Sequence, residues 1–317
     1  MDLTETIEIC CLIEATARKP GNVHPSADFV DLTYDDFVRA AEACAVPLAA
    51  SREIGLGRAI LNGVEATRNA TASNVNLGIA LLIAPLAAVP EAEPLNVGVT
   101  RILARTSIQD AADTYAAIRA AKPGGLGKAA SQDVHDLPSI TLRDAMALAA
   151  QRDRIAEQYA SGFDGLLGRD RQWLIESWNG SHELQSSPGC IRAWDAPHYR
   201  EGLVPWEMSI IDFQLRLLAT TPDSLVIRKC GLDIGVELQQ RAAAVVAADW
   251  PRNRRGWELF VQFDLWLRGD GHRRNPGTTA DFVAATLFAA ARDGLIAVPS
   301  RDDVLRHADL IRQSVGK

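Results

Sequence analysis

The chain has no paired cysteine spacing. Its five cysteines, at positions 10, 11, 44, 190 and 230, are odd in number and form no CxxC, which excludes a disulfide framework and a zinc ribbon. They read as small core residues of a reducing compartment. There is no excess of basic charge either: 33 Lys and Arg face 40 Asp and Glu, giving a net charge of -7. General nucleic-acid binding rests on basic surface, so that class is excluded. No apolar run is long enough for a membrane span, the longest being Leu77 to Val89 with Pro85 inside it. The N-terminus shows no basic region followed by an apolar run, so no secretory signal and a cytoplasmic location are expected.

Familiar catalytic patterns are missing too. There is no GxGxxG after a strand, no HExxH and no GxSxG. Gly124-Gly-Leu-Gly127-Lys128 lacks the upstream glycine spacing and the Ser or Thr of a phosphate-binding loop. Ordinary kinase, dehydrogenase and hydrolase assignments are disfavoured.

What is present is helical pattern almost throughout. Alanine is abundant, apolar residues recur at spacings of three and four, and alternating β-branched runs are scarce. The expectation is an all-α protein forming one multi-helix domain over residues 1–317. Thr33 with Asp36 opens a helix of about 17 residues, and others are expected over Gly55 to Asn69, from Asn74 or Asn76 onwards, and over Ile108 to Ala121. The body Leu77 to Ala88 is apolar all round, as a central helix should be. Thr141 and Asp144 open a helical region reaching about Phe163. Residues 169–205 break the pattern and hold Trp173, Trp178 and Trp194, with Trp206 just beyond. This irregular insertion is read as a lid, a small subdomain or an interaction surface. Helices resume over Trp206 to Ala219, Leu232 to Ala248, Trp257 to Leu267, from about Asn275 through Ala291 with Thr278 and Asp281 at capping spacing, and over Asp302 to Val315.

The most informative stretch is Glu14-Ala-Thr-Ala-Arg-Lys19-Pro20-Gly21-Asn22-Val23-His24. Leu3, Ile7, Cys10, Cys11 and Glu14 share one helical stripe, so a carboxylate stands where leucine would be expected. Buried alone it would cost several kcal/mol, so it serves a site or pairs with Arg18 or Lys19. Helix starts preceded by Asn, Asp and Gly recur along the chain. Their backbone N–H groups suit phosphate oxygens, although ordinary capping explains each one singly.

Taken together, these segments resemble the triphosphoribosyl-dephospho-CoA synthase superfamily, whose members make the prosthetic-group precursor of citrate lyase and malonate decarboxylase. Glu14 to Val23 is similar to its Glu...Pro-Lys-Pro-Gly-Leu-Val signature, and Asn74-Val-Asn76-Leu-Gly78 to its Asn-Thr-His-Lys-Gly. Pro222-Asp-Ser-Leu-Val-Ile-Arg228-Lys229-Cys-Gly231 resembles its Asp-Thr-Asn...Arg-Gly-Gly, and Asn275-Pro-Gly-Thr-Thr-Ala-Asp281 its Ser-Pro-Gly-Gly-Ser-Ala-Asp. Two departures stand out. Asn76 and Leu77 replace the family's His-Lys pair, and residues 169–205 have no counterpart.

The resemblance implies an enzyme that moves the triphosphoribosyl group of ATP onto the ribose 2'-hydroxyl of 3'-dephospho-CoA, releasing adenine. It implies Mg²⁺ with the ATP and small-molecule nucleotide partners. On that footing Lys19, Lys128, Arg228 and Lys229 are candidate phosphate contacts, and Asn22, Asn74 and Asn76 candidate ribose or base contacts. His24 joins the nucleotide-binding set and, with His135, is a candidate acid. Glu14, Asp133 and Asp281 are candidate catalytic carboxylates, and Asp133, Asp136 and Asp281 candidate Mg²⁺ ligands. Two alternatives stand beside this reading. One is a related transferase using another nucleotide or acceptor, and the other a non-catalytic helical protein that binds a protein partner or itself through 169–205.

Overall fold

A computed structural model describes residues 1–71, 73, 75–122, 132–185 and 202–315. Among them there are sixteen α-helices and no strand, apart from an isolated antiparallel bridge between His24 and Ala27. The first six helices are α1 (Leu3–Thr16), α2 (Tyr34–Ala49), α3 (Ser51–Ile54), α4 (Leu56–Thr71), α5 (Leu77–Ala87) and α6 (Leu95–Ala104). Next come α7 (Ile108–Ala121), α8 (Leu142–Ala149), α9 (Arg154–Ser161), a π-turn over Leu166–Asp170, and α10 (Arg171–Gln185). The remainder are α11 (Pro205–Thr220), α12 (Ser224–Cys230), α13 (Leu232–Ala247), α14 (Arg254–Arg268), α15 (Gly277–Arg292) and α16 (Arg301–Val315). The all-α expectation holds. None of the helices is long and apolar enough to cross a membrane.

The helices group into two compact units. The first draws on Met1–Cys11, Asp35–Arg171 and Ala284–Leu295, and the second on Leu12–Tyr34, Gln172–Val283 and Ile296–Lys317. In the first unit, α5 buries every residue from Gly78 to Ala87, as its unbroken apolar sequence requires. Tyr159 Oη donates to Leu81 O at 2.7 Å, which satisfies a phenol with no exposed surface. Helices α4 and α7 pack so closely at Gly57 that an added Cβ would lie 2.4 Å from the Asp110 carbonyl oxygen. Asp110 also closes a capping box with Ser107 at the start of α7.

Two expectations are corrected in this region. The helical region foreseen from Thr141 to about Phe163 divides into two helices, because Asp153 accepts from the N–H groups of Ile155 and Ala156 and starts α9 afresh. An N-cap of that strength outweighs the helical propensity of its neighbours. The stretch from 169 is also less irregular than expected, since α10 carries Trp173 and Trp178, the latter buried. Its tryptophans fit a helix face as well as a loop. Residues 186–201, including Cys190 and Trp194, lie outside the described residues.

The second unit is built on α11, α12, α13 and α14. Met208, Ile211, Leu215 and Leu218 meet Val226, Leu238, Ala242 and Val245, and α14 adds Trp257, Phe260, Phe263 and Leu267. Trp250 stacks on Phe260 with centroids 5.1 Å apart and meets Trp257 edge-on at 5.4 Å. Each such side chain contributes roughly 2 kcal/mol by leaving water. That gives a rigid floor for the polar groups described next.

Candidate active site

The Pro-Gly break after α1 lies wholly within the second unit, and its geometry follows from its residues. Gly21 has φ +77°, a left-handed conformation that costs glycine nothing. An added Cβ there would meet Leu267 at 2.7 Å and Pro276 at 3.1 Å, so the loop presses against α14 and the approach to α15. Gly21 N donates to Asp264 Oδ1 at 2.8 Å, and Arg268 Nε donates to the same oxygen at 2.8 Å. Arg268 then reaches the Asn22 carbonyl at 2.7 Å. One turn of α14 thereby grips two consecutive residues of the loop.

The two basic residues before the turn are both buried with no exposed surface. Arg18 Nε and Nη2 bond Glu207 Oε1 and Oε2 at 2.7 and 2.8 Å, and Arg18 N adds a third bond at 3.1 Å. His307 Nε2 lies 2.9 Å from Glu207 Oε2. Burial acts to raise the Glu207 pKa, but the Arg18 charge and the bonds from Arg18 and His307 prevail and hold it at about 2. Lys19 Nζ instead pairs locally, 2.9 Å from Glu14 Oε1, and donates to the Glu14 carbonyl as well. Of the two fates open to Glu14, the pairing with Lys19 is therefore present. His24 Nδ1 lies 3.1 Å from Ser26 Oγ, inside a small turn.

One of the other motif segments meets the loop in the same unit, and a second meets that segment in turn. Asn22 Nδ2 donates to Asn275 Oδ1 at 2.7 Å, and Gln214 Nε2 donates to Asn22 Oδ1 at 2.6 Å. Asp223 connects α12 to α15: Oδ1 accepts from Leu225 N and Val226 N, while Oδ2 accepts from Thr279 N and Oγ1 at 2.7 and 2.8 Å. Ser224 Oγ donates to Thr278 Oγ1 at 3.1 Å. This corrects the expected cap at Thr278 and Asp281. The helix begins at Gly277, ahead of Thr278, and an acid that reaches its first turn is Asp223, 56 residues before Thr279 in sequence. Burial raises the Asp223 carboxyl above the ordinary value, against the Thr279 and Val226 bonds and the Arg228 charge. Arg228 and Lys229 end α12, half-buried, and Asp281 lies half-buried on the first turns of α15.

The remaining candidates belong to the first unit or fall outside the description. Asn76 is buried and donates to Cys44 Sγ at 3.4 Å, making no side-chain cap for α5. Asp133 Oδ1 accepts from His135 N at 3.0 Å in a turn where His135 and Asp136 are exposed. Asn74 and Lys128 lie outside the described residues. No group of three or more His, Cys, Asp or Glu among the described residues is placed to hold a metal ion. The described residues thus show no cage for Mg²⁺, an ion that commonly takes one or two carboxylates and completes its shell with phosphate and water.

Among the residues of this constellation not singled out from sequence are Glu207, Gln214, Asp223, Asp264, Arg268 and His307. Three of them carry the signal that marked Glu14, a polar group on an apolar stripe. Asp264 sits with Phe260, Phe263 and Leu267, and Glu207 and Gln214 flank Ile210 and Ile211, all buried. Asp223 reads locally as an ordinary cap.

The sequence model of the family described as CitG: ATP:dephospho-CoA triphosphoribosyl transferase matches residues 1–183 and 191–298, so the segment 169–205, expected to have no counterpart, is matched except for residues 184–190. The chain belongs to that family. It is accordingly a triphosphoribosyl transferase, similar to triphosphoribosyl-dephospho-CoA synthases. A crystal structure of a provisionally named triphosphoribosyl-dephospho-CoA synthase from Archaeoglobus fulgidus shares its fold. That structure has 21% identity and a TM-score of 0.54, over 80% of this chain and 98% of the other. No curated protein sequence gives a significant match. ATP:dephospho-CoA triphosphoribosyl transferases act on small-molecule nucleotides, which agrees with the partner class expected from the motifs.

Proposed function

We propose that this transferase joins ATP to 3'-dephospho-CoA. The 2'-hydroxyl oxygen of the acceptor bonds to the anomeric carbon of the ATP ribose, and the bond from that carbon to adenine breaks. The electron pair leaves on the adenine nitrogen and the hydroxyl proton is passed to a base, so the triphosphate stays on the product. Charge at the anomeric carbon favours a nearby carboxylate, and the departing base favours a donor. The observation that carries the reading is the convergence of three family motifs in one unit, through the Asn22–Asn275 and Asp223–Thr279 bonds.

In this reading Arg228 and Lys229 meet the triphosphate, and Mg²⁺ arrives as part of the substrate Mg·ATP. Lys19 reaches phosphate by exchanging the Glu14 carboxylate for a phosphate oxygen, one anion for another, which a buried ammonium tolerates. Asn22 and His24 contribute nucleotide contacts. Glu14 and Asp281 are the carboxylates for base and sugar, and Asp281 is the one carboxylate beside the substrate's Mg²⁺, whose other ligands are phosphate oxygens and water. The test is incubation with ATP, Mg²⁺ and dephospho-CoA, followed by chromatography for free adenine. Asp281→Asn is expected to lower the rate by at least a hundredfold with an unchanged helical circular dichroism spectrum. Wild-type turnover in that variant removes Asp281 from the site.

A second reading, a different acceptor or nucleotide, is favoured by one observation. Asn76 stands where the family pattern has histidine, and its amide is turned onto Cys44. Adenine release with ATP and an acceptor other than dephospho-CoA, and none with dephospho-CoA, would establish it.

A further inference from the structure

The three amides at the centre of the second unit form a chain with a direction. Gln214 Nε2 donates to Asn22 Oδ1, and Asn22 Nδ2 donates to Asn275 Oδ1. Gln214 is buried with no exposed surface, and its Oε1 has no hydrogen-bond partner among the described residues. Asn275 is half-buried, so its end of the chain is the accessible one.

Amide orientation is decided by such networks, and this one has two self-consistent directions. In the direction described, the buried orphan is a carbonyl oxygen and the exposed group of Asn275 is the Nδ2 donor. In the reverse direction the buried orphan is an NH₂ with two donors, and Asn275 presents an oxygen. An under-satisfied carbonyl is the less costly of the two, so the first direction is favoured.

The surroundings of the exposed end say what a donor would meet there. Arg273 and Arg274 precede Asn275 directly, Arg268 holds the adjoining loop, and Arg273 Nη2 donates to the Lys229 carbonyl at 3.0 Å. Asp264 pairs with Arg268, and Asp270 lies 3.8 Å from both Arg273 and Arg274, so with Lys229 four cations stand against two carboxylates in a chain of net charge -7, and an N–H donor among them suits an anionic oxygen.

We propose that Gln214 is a positioning residue that sets the amide chain so that Asn275 Nδ2 donates to a phosphate oxygen of the nucleotide. Asn275 is thereby a binding residue and Asn22 the link between them. This rests on the reading that the second unit takes the triphosphate of ATP, but it is tested by binding alone.

The experiment is calorimetric titration of the full chain with inorganic tripolyphosphate and, separately, with adenosine. Asn275→Asp turns the presented donor into an oxygen and is expected to weaken tripolyphosphate at least tenfold, leaving adenosine unchanged. Gln214→Glu offers Asn22 an acceptor in place of a donor and reverses the chain from its buried end, with a similar loss. Gln214→Met only removes the bias and costs a few-fold. The decisive readout is the double variant. If the effect passes along the amides, Gln214→Glu or Gln214→Met costs nothing further once Asn275→Asp is present. Independent charge or packing effects would instead add, and additivity overturns the proposal. So does wild-type tripolyphosphate affinity in Asn275→Asp, or the lack of tripolyphosphate binding by the wild-type chain. Should Gln214→Glu fail to fold, the Gln214→Met and Asn275→Asp pair decides the same question. Tripolyphosphate binding without adenine release would sink the proposed reaction and leave the relay standing.

Discussion

The two units differ in how far apart in sequence their charged and amide partners lie. In the first, helix starts are closed by their own neighbours: Ser107 with Asp110, Thr141 with Asp144, and Asp153 with Ile155 and Ala156, all within three residues. In the second, local caps such as Asp223 on α12 stand beside buried polar groups whose partners are remote. Arg18 meets Glu207 across 189 residues, Gly21 meets Asp264 across 243, and Asn22 meets Asn275 across 253. A local cap stabilises a helix and says little about chemistry. A buried polar network spanning distant segments costs desolvation, and it persists where a defined arrangement of side chains is needed.

The strongest way to test that contrast is to remove Glu207. Glu207→Ala leaves the Arg18 guanidinium buried without its carboxylate and is expected to destabilise the chain by roughly 3–5 kcal/mol, read from urea denaturation. A loss below 1 kcal/mol would mean that the network is incidental.

Acid should act on the same contact more gently. The Glu207 pKa is lowered from 4.5 to about 2, so its contribution is fully present above pH 4.5 and is lost as pH falls toward 2. The total at stake is about 3 kcal/mol. A Glu207→Gln chain should lack that component, and parallel acid titrations of the two proteins by circular dichroism would show whether it does. Coincident curves would refute the assignment.

The smallest effect belongs to the first unit. Ser107→Ala removes a half of one capping box and should cost about 1 kcal/mol, with adenine release unaffected. A large loss of turnover there would erase the distinction between structural caps and the site.

The same contrast explains what could be read from the sequence. Helix type and most boundaries were legible because their causes are local: the apolar spacing of Ile108–Ala121 and the all-apolar run of Leu77–Ala87 match the helices found. The Glu14 anomaly was legible for the same reason, since one stripe carries it. What could not be read is which remote group answers each buried charge. Nothing near Arg18 points to Glu207 or His307, and Asp223 reads as a cap for α12 alone, although its second oxygen serves Thr279. The broken helix at Asp153 is a different kind of miss, a local signal outvoted by the periodicity around it.

One feature of the chain's path bears on how the protein is made. Each unit is assembled from three separate stretches, and α1 and α15 each contribute residues to both. A ribosome must therefore deliver α16, with His307, before Arg18 and Glu207 have their full set of partners. Contacts of such long sequence separation close late and slowly, and until they do the emerging chain carries buried-type charges in water and apolar faces without cover. Neither half of the polypeptide, expressed alone, contains a complete unit.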